Sequence, residues 1–145
     1  MDPATFDRLH SAGYLTNHLA RLFAHRLSDA LAPLGLAPAQ FMTLLPLWEQ
    51  DGMTQAELTR ALDVEQATMA NTLSRMERDG LIERRPSPQD ARARTVHLTD
   101  RARALKDPAQ AAAETVNARA VGDMDADTRA ALLAQMRAMI ARLSR

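Results

Sequence analysis

Cysteine is absent from all 145 residues, which excludes a disulfide framework, a thiolate metal site and a thiol redox sensor. Aromatic residues are scarce, at 3%. A core must therefore be assembled from Leu, Ala, Met and Val, a set that favours helices over a sandwich of sheets. No run of about 18 apolar residues occurs, so nothing reads as a membrane span. Met1 to His10 lacks the basic stretch and apolar h-region of a signal peptide. These absences together make a cytoplasmic protein with no membrane partner the expectation. Catalytic signatures are missing as well: there is no nucleophile elbow and no Gly-rich phosphate loop. His10, His18 and His25 share one face of a first helix, but no carboxylate accompanies them at ligand spacing. The sequence reads as a non-enzyme with no cofactor and no metal.

Net charge is zero, which argues against nucleic-acid binding unless positive charge is gathered locally. It is gathered between Leu81 and Arg103, where six arginines (Arg84, Arg85, Arg92, Arg94, Arg101, Arg103) face three acids (Glu83, Asp90, Asp100).

The hydrophobic periodicity predicts a long helix over residues 5–32, with Leu15, Leu19, Leu22, Phe23, Leu27 and Leu31 at helical spacing and Pro33 with Gly35 ending it. A second helix starts at Pro38 and runs to about Gln50, with a kink expected at Pro46. Thr54-Gln55-Ala56-Glu57 is a capping box that opens a short third helix. Asp63-Val64 makes a tight turn, and a further helix begins at Glu65 or Gln66, with Met69, Leu73 and Met76 inward and Asp79-Gly80 at its end. Two short helices joined by so brief a turn form a helix-turn-helix. The period then changes. Residues 81–85 and 93–98 read as strands around the turn-rich stretch Pro86 to Arg92. A hairpin carrying arginines directly after a helix-turn-helix is a wing. Thr99 caps the next helix, Asp107-Pro108 suggests that it bends or restarts, and it ends near Val121. A last helix over 125–144 turns Leu132, Leu133, Met136, Met139, Ile140 and Leu143 inward. The fold class is mainly α with a small β-hairpin.

From Met53 to Asp100 the chain resembles the multiple-antibiotic-resistance-regulator (MarR) family of winged-helix proteins. The stretches that carry the resemblance are Leu34-Gly35-Leu36, Thr54 to Leu58, Thr68-Met69, Arg75 to Arg84, and Asp90-Ala91-Arg92 followed by Val96-His97-Leu98-Thr99. Departures from the family pattern are Asp63 in a turn that often carries glycine, Gln66-Ala67 at the start of the recognition helix, Ala91 in the wing and Ala102. The order of elements matches over nearly the whole chain. It divides a winged region over 36–98 from dimerisation helices over 5–32 and 99–144.

On the recognition helix, the buried row leaves the opposite face to the ligand. Gln66 and Asn71 are candidates for base edges, since Gln and Asn can pair with adenine. Thr68, Ser74 and Arg75 suit phosphate, Arg84 and Arg94 lie along the wing, and Arg92 at its tip suits the minor groove. Asp90 is expected to brace Arg84, Arg92 or Arg94 by a charge-assisted hydrogen bond, or to serve as a turn-forming aspartate. The terminal helices carry apolar faces that the winged core cannot cover, so a homodimer on a pseudo-palindromic duplex is expected, and the resemblance implies the same. It also implies a cleft for a small aromatic or anionic effector, with Tyr14, His18, Phe41, Met42, Leu45 and Trp48 as lining candidates, although core or interface packing competes for those positions. The functional expectation is a sequence-specific transcriptional regulator, a repressor relieved by a ligand. The competing expectation is a helical, dimeric protein-interaction adaptor that binds no DNA.

Overall fold

The computed structural model describes residues 5–90 and 92–144. Its elements are α1 (Ala12–Leu31), α2 (Pro38–Glu49), β1 (Met53–Thr54), α3 (Gln55–Leu62), α4 (Gln66–Arg78), β2 (Ile82–Pro86), β3 (Arg94–Leu98), α5 (Asp100–Val121) and α6 (Ala126–Leu143). Short 3-10 turns precede and follow α1.

The first helix is shorter than the periodicity suggests. Asp7 accepts from the Leu9 amide and Ser11 from the Tyr14 amide, at 3.0 and 3.2 Å. Each cap holds its own backbone extended and starts a new turn. The chain therefore makes a single 3-10 turn at Arg8–His10 and begins the true helix at Ala12.

The capping box at Thr54 forms as expected. The Glu57 amide donates to Thr54 Oγ1 at 3.1 Å, and the Thr54 hydroxyl donates to Glu57 Oε1 at 3.0 Å. The two residues Met53 and Thr54 also pair with β3, an addition to the sequence-derived hairpin. They give an antiparallel sheet of order β1-β3-β2 with Val96 opposite both Met53 and Arg84. Two residues are too few to show a period of two, so this strand has no signature of its own.

Asp107-Pro108 starts nothing new: α5 runs unbroken from Asp100 to Val121 with Pro108 inside it. The missing Pro108 amide costs the Ala104 carbonyl its partner, and Ala104 lies on the exposed side. Water can take that carbonyl while Ala102 and Ala109, fully buried, seat the other face. Likewise α2 continues through Pro46, and the Met42 carbonyl that loses its donor belongs to an exposed residue.

The core gathers around Leu31, Leu44, Leu47, Leu58, Met69, Leu73, Met76, Leu81 and Val96. It joins α2, α3, α4 and the sheet to the C-terminal end of α1 and the first half of α5. Trp48 closes its edge, its indole N–H donating to the Ala102 carbonyl at 3.0 Å.

The last helix departs from the inward reading and agrees with apolar faces that the winged core cannot cover. Leu132, Leu133, Met136, Met139, Ile140 and Leu143 do not face inward in the single chain: all are exposed, by 37 to 82%. Polar links tie α6 to the rest, Arg129 to Glu114 at 3.5 Å and the Ser144 hydroxyl to Asp63 Oδ2 at 3.0 Å. Among the described residues no single helix is long and apolar enough to cross a membrane.

Candidate nucleic-acid interface

The helix α4 is delivered by a turn that bends back on itself. Asp63 takes a left-handed conformation, φ 51°, and the Val64 amide reaches the Thr59 carbonyl at 3.3 Å. Aspartate tolerates this geometry better than most residues, which is how the turn forms without glycine. Glu65 precedes the helix with no side-chain cap, so the first amides of α4 are available to solvent or to an anion.

Met69, Leu73 and Met76 anchor α4 to the core. The 3.6-residue repeat then turns Gln66, Thr68, Asn71, Ser74 and Arg75 to solvent, and all five are exposed. The exit of the helix is equally determined. The Leu81 amide donates to the Met76 carbonyl at 2.9 Å and the Gly80 amide to the Glu77 carbonyl at 3.1 Å, with Gly80 at φ 73°. This is a Schellman turn: only a residue free of Cβ strain satisfies both carbonyls, and buried Leu81 packs beside Met76. The Asp79-Gly80-Leu81 stretch thus turns the chain directly into the wing.

In the wing, β2 and β3 hold Glu83 opposite His97 and Arg85 opposite Thr95. At the tip, Asp90 reaches no guanidinium among the described residues. Its Oδ1 accepts from the Arg92 backbone amide at 2.9 Å, and its carbonyl accepts from the Ala93 amide at 3.1 Å. Asp90 therefore shapes the loop that carries Arg92. Ala91 lies outside the described residues. Arg92 and Arg94 are exposed. Arg84 is different: its side chain is 20% exposed, with Nε 3.5 Å from Glu77 Oε2 and Nη2 3.5 Å from Ser74 Oγ. It lies between wing and recognition helix, its buried Nε close enough to Glu77 for an ion pair though not hydrogen-bonded, which places a cation at their junction.

Three polar networks behind this face have no local sequence signal. Asp51 accepts from the amides of Gly52 and Leu98, at 3.0 and 2.8 Å, and pairs with Arg103 at 3.3 Å. It joins the root of the wing to α5. Arg101 donates to the Asp79 carbonyl, and the Thr99 hydroxyl to that of Gly80 at 2.7 Å. Asp79 is also met by Arg78 and Gln40, and the Arg78 bond, then the Gln40 bond, hold its carboxyl below the ordinary value of 3.8. Apart from the adjacent pairs Asp51–Gly52 and Arg78–Asp79, these partners are 19 to 52 residues apart in sequence, and only the fold brings them together.

The six residues considered for an effector separate into two groups. Tyr14 and His18 meet edge to face at 6.2 Å on α1, with the Arg8 guanidinium bonded to the Tyr14 hydroxyl at 2.7 Å. Phe41 and Trp48 meet at 6.0 Å on α2, and Phe41 belongs to the closed core. Met42 is exposed and Leu45 half-buried. None of the six lines the large open cleft of about 940 Å³, which lies between the start of α1, the α3–α4 turn and the end of α6 and includes Leu19, Val64, Met136 and Ile140 in its walls. His10 bonds Asp7 at 2.6 Å, and no group of three metal-ligating side chains forms among the described residues.

Residues 36–93 match the MarR family model. The chain is 32% identical over 114 residues to the HTH-type transcriptional repressor Rv2887 of Mycobacterium tuberculosis, covering 79% of this chain and 82% of that protein. It is 29% identical to the HTH-type transcriptional repressor NicR of Pseudomonas putida, over 97% of this chain and 89% of that one. Among solved structures, the transcriptional repressor CouR bound to a 23-mer DNA duplex superposes with a TM-score of 0.81 at 30% identity, over 95% of this chain and 99% of that one.

Proposed function

The chain belongs to the MarR family and is a winged helix-turn-helix transcriptional regulator, and from this we propose that it represses by gripping a pseudo-palindromic duplex as a homodimer. Family members regulate and are in general not enzymes. In this reading α4 of each protomer enters a major groove, with Gln66 and Asn71 toward base edges and Thr68, Ser74 and Arg75 toward the flanking phosphates. Arg92 and Arg94 follow the neighbouring minor groove, and Arg84 supports the junction from within reach of the backbone. Residues 36–98 form the DNA-binding region, and α1, α5 and α6 hold the protomers together. The relatives named as repressors and the CouR structure solved on a duplex support this reading.

One observation carries it: an exposed polar face on α4 stands beside exposed arginines on the wing, with Arg84 spanning the two. An ordinary solvated helix has no need of a basic hairpin at its side. A small aromatic or anionic ligand would relieve repression by preferring a dimer geometry in which the two α4 helices miss successive grooves. Half-buried Tyr14, Leu45 and Trp48 and exposed His18 and Met42 are the lining candidates still accessible, whereas Phe41 is closed into the core.

The test is selection of bound sequences from a randomised duplex pool, followed by titration at several salt concentrations. Enrichment of a two-fold symmetric site, with affinity falling steeply as salt rises, supports the proposal. A purified, folded protein that enriches nothing and shows no salt-dependent binding rejects it in favour of the adaptor reading.

A further inference from the structure

Gln40 and Thr43 are buried polar side chains. Thr43 bonds within its own helix, its hydroxyl donating to the Ala39 carbonyl at 2.8 Å. Gln40, 6% exposed, does not stay local. Its Oε1 accepts from the Ala37 amide at 3.1 Å, closing the first turn of α2, and its Nε2 donates to Asp79 Oδ2 at 2.9 Å. That carboxylate sits at the exit of the recognition helix, where Arg78 Nε donates to the other oxygen at 3.1 Å. At the same turn Arg101 of α5 donates to the Asp79 carbonyl and Thr99, the cap of α5, to the Gly80 carbonyl.

We propose that Gln40 is a positioning residue for DNA reading: its buried amide pins the exit of α4 to α2 and so sets the angle at which α4 presents Asn71 and Gln66. This rests on the reading of α4 as the groove-entering helix. The physical argument concerns what else could set that angle. The contacts of Met69, Leu73 and Met76 are apolar and non-directional and tolerate small rotations and slides of α4 along the core, and the directional bonds of Arg101 and Thr99 tie the exit backbone to the start of α5, not to α2. A hydrogen bond of 2.9 Å does not, because displacement by about 1 Å abolishes it. The amide also has both its polar ends engaged, so it cannot follow a tilt of α4 without breaking one bond and leaving a buried group unpaired. Base-edge contacts are as short and directional as the Gln40 bond itself, whereas attraction to phosphates is long-ranged and survives a small tilt. Loss of the pin therefore costs sequence discrimination before it costs general affinity.

The experiment exchanges the polarity of the pair. Gln40→Glu sets a carboxylate against the Asp79 carboxylate, while Gln40→Glu combined with Asp79→Asn restores a hydrogen bond with donor and acceptor reversed. The full-length protein is titrated against the duplex that wild type selects and against a scrambled duplex, with thermal melts alongside. Gln40→Glu is expected to bind the selected duplex about tenfold or more weakly, scrambled duplex within about twofold of wild type, and the double variant to return to within about threefold on both. If Gln40→Glu fails to fold, Gln40→Met, which keeps the length but not the amide, replaces it with the same expectation of lost discrimination. Unchanged affinity for the selected duplex, an equal loss on both duplexes, or a double variant that does not recover would each overturn the assignment. A wild type that selects no sequence would instead remove the DNA reading itself, so the two failures are distinguishable.

Discussion

Asn71 and Arg92 are both exposed polar residues of the proposed interface, yet the chemistry of a base edge and of a phosphate demands different behaviour from them. Asn71→Ala is expected to cost on the order of 1–3 kcal/mol on the selected duplex and to relax one position in each half-site, with random DNA little affected. Arg92→Ala is expected to weaken selected and random duplexes alike, and to flatten the slope of log affinity against log salt by roughly 1 for each phosphate it no longer neutralises. Titration of both variants at several salt concentrations checks the pair, and an unchanged slope for Arg92→Ala would take the wing tip off the DNA. Asp90 gives a further contrast at this scale. Its carboxylate holds the Arg92 amide, so Asp90→Ala is expected to loosen the tip and weaken binding although a negative charge has been removed. Charge counting predicts the reverse, and tighter binding by that variant would show that the loop does not depend on the bond.

The recognition helix as an element is set at both ends and along one side. A left-handed aspartate delivers it, a Schellman turn ends it, and Arg84 lies between it and the wing. The Asp79 carboxylate at its exit is stabilised in the charged form, first by Arg78 and then by Gln40, with the Arg78 and Arg101 charges adding to the same sense. A carboxyl whose pKa is lowered in the folded state contributes stability above its unfolded pKa and loses it as pH falls through the folded value. Asp125, capping α6 through the Thr128 amide, is shifted in the same direction. Melting temperature is therefore expected to be level through neutral pH and to fall below about pH 4. Asp79→Asn should make that acid decline shallower, and thermal melts between about pH 2.5 and 7 would show a slope identical to wild type if the carboxylate has no such role.

For the molecule as a whole, the decisive feature is α6, an 18-residue helix with no buried residue in the single chain. Its exposed Met136, Met139, Ile140 and Leu143 wall one cleft with the exposed Leu19 of α1, and Leu15, Leu22 and Leu132 are exposed as well, apolar surface of the kind that marks an interface. Sedimentation equilibrium at micromolar concentration is expected to give a species of twice 16.0 kDa. Met136→Glu combined with Ile140→Glu should shift it toward the monomer and lose binding to the full symmetric site. A wild-type monomer that still unfolds cooperatively would contradict the assignment of these helices.

The local elements are legible in the chain alone: the Thr54 capping box, the start of α4 at Glu65 or Gln66, the Asp79-Gly80 exit, and the division of α4 into a Met69-Leu73-Met76 face and a polar face. Each of these depends on side chains within a few residues of one another, where helical period and capping chemistry act directly. Local reading also misled where a cap signal was outweighed. Asp107-Pro108 reads as a bend or a restart, and packing of Ala102 and Ala109 carries α5 through it without a restart, while Ser11 breaks a helix that the leucine spacing alone would extend. The folded chain alone reveals the strand pairing of Met53-Thr54, the bonds from Gln40 and Arg101 to the exit of α4, the approach of Arg84 to Glu77 and Ser74, and the exposure of the α6 leucines and methionines. Those depend on residues brought together across the chain, where no period or spacing records which donor will meet which acceptor. An apolar row at helical spacing looks the same in sequence whether its partner is the protein's own core or a second protomer, because burial is a property of the surroundings and not of the row.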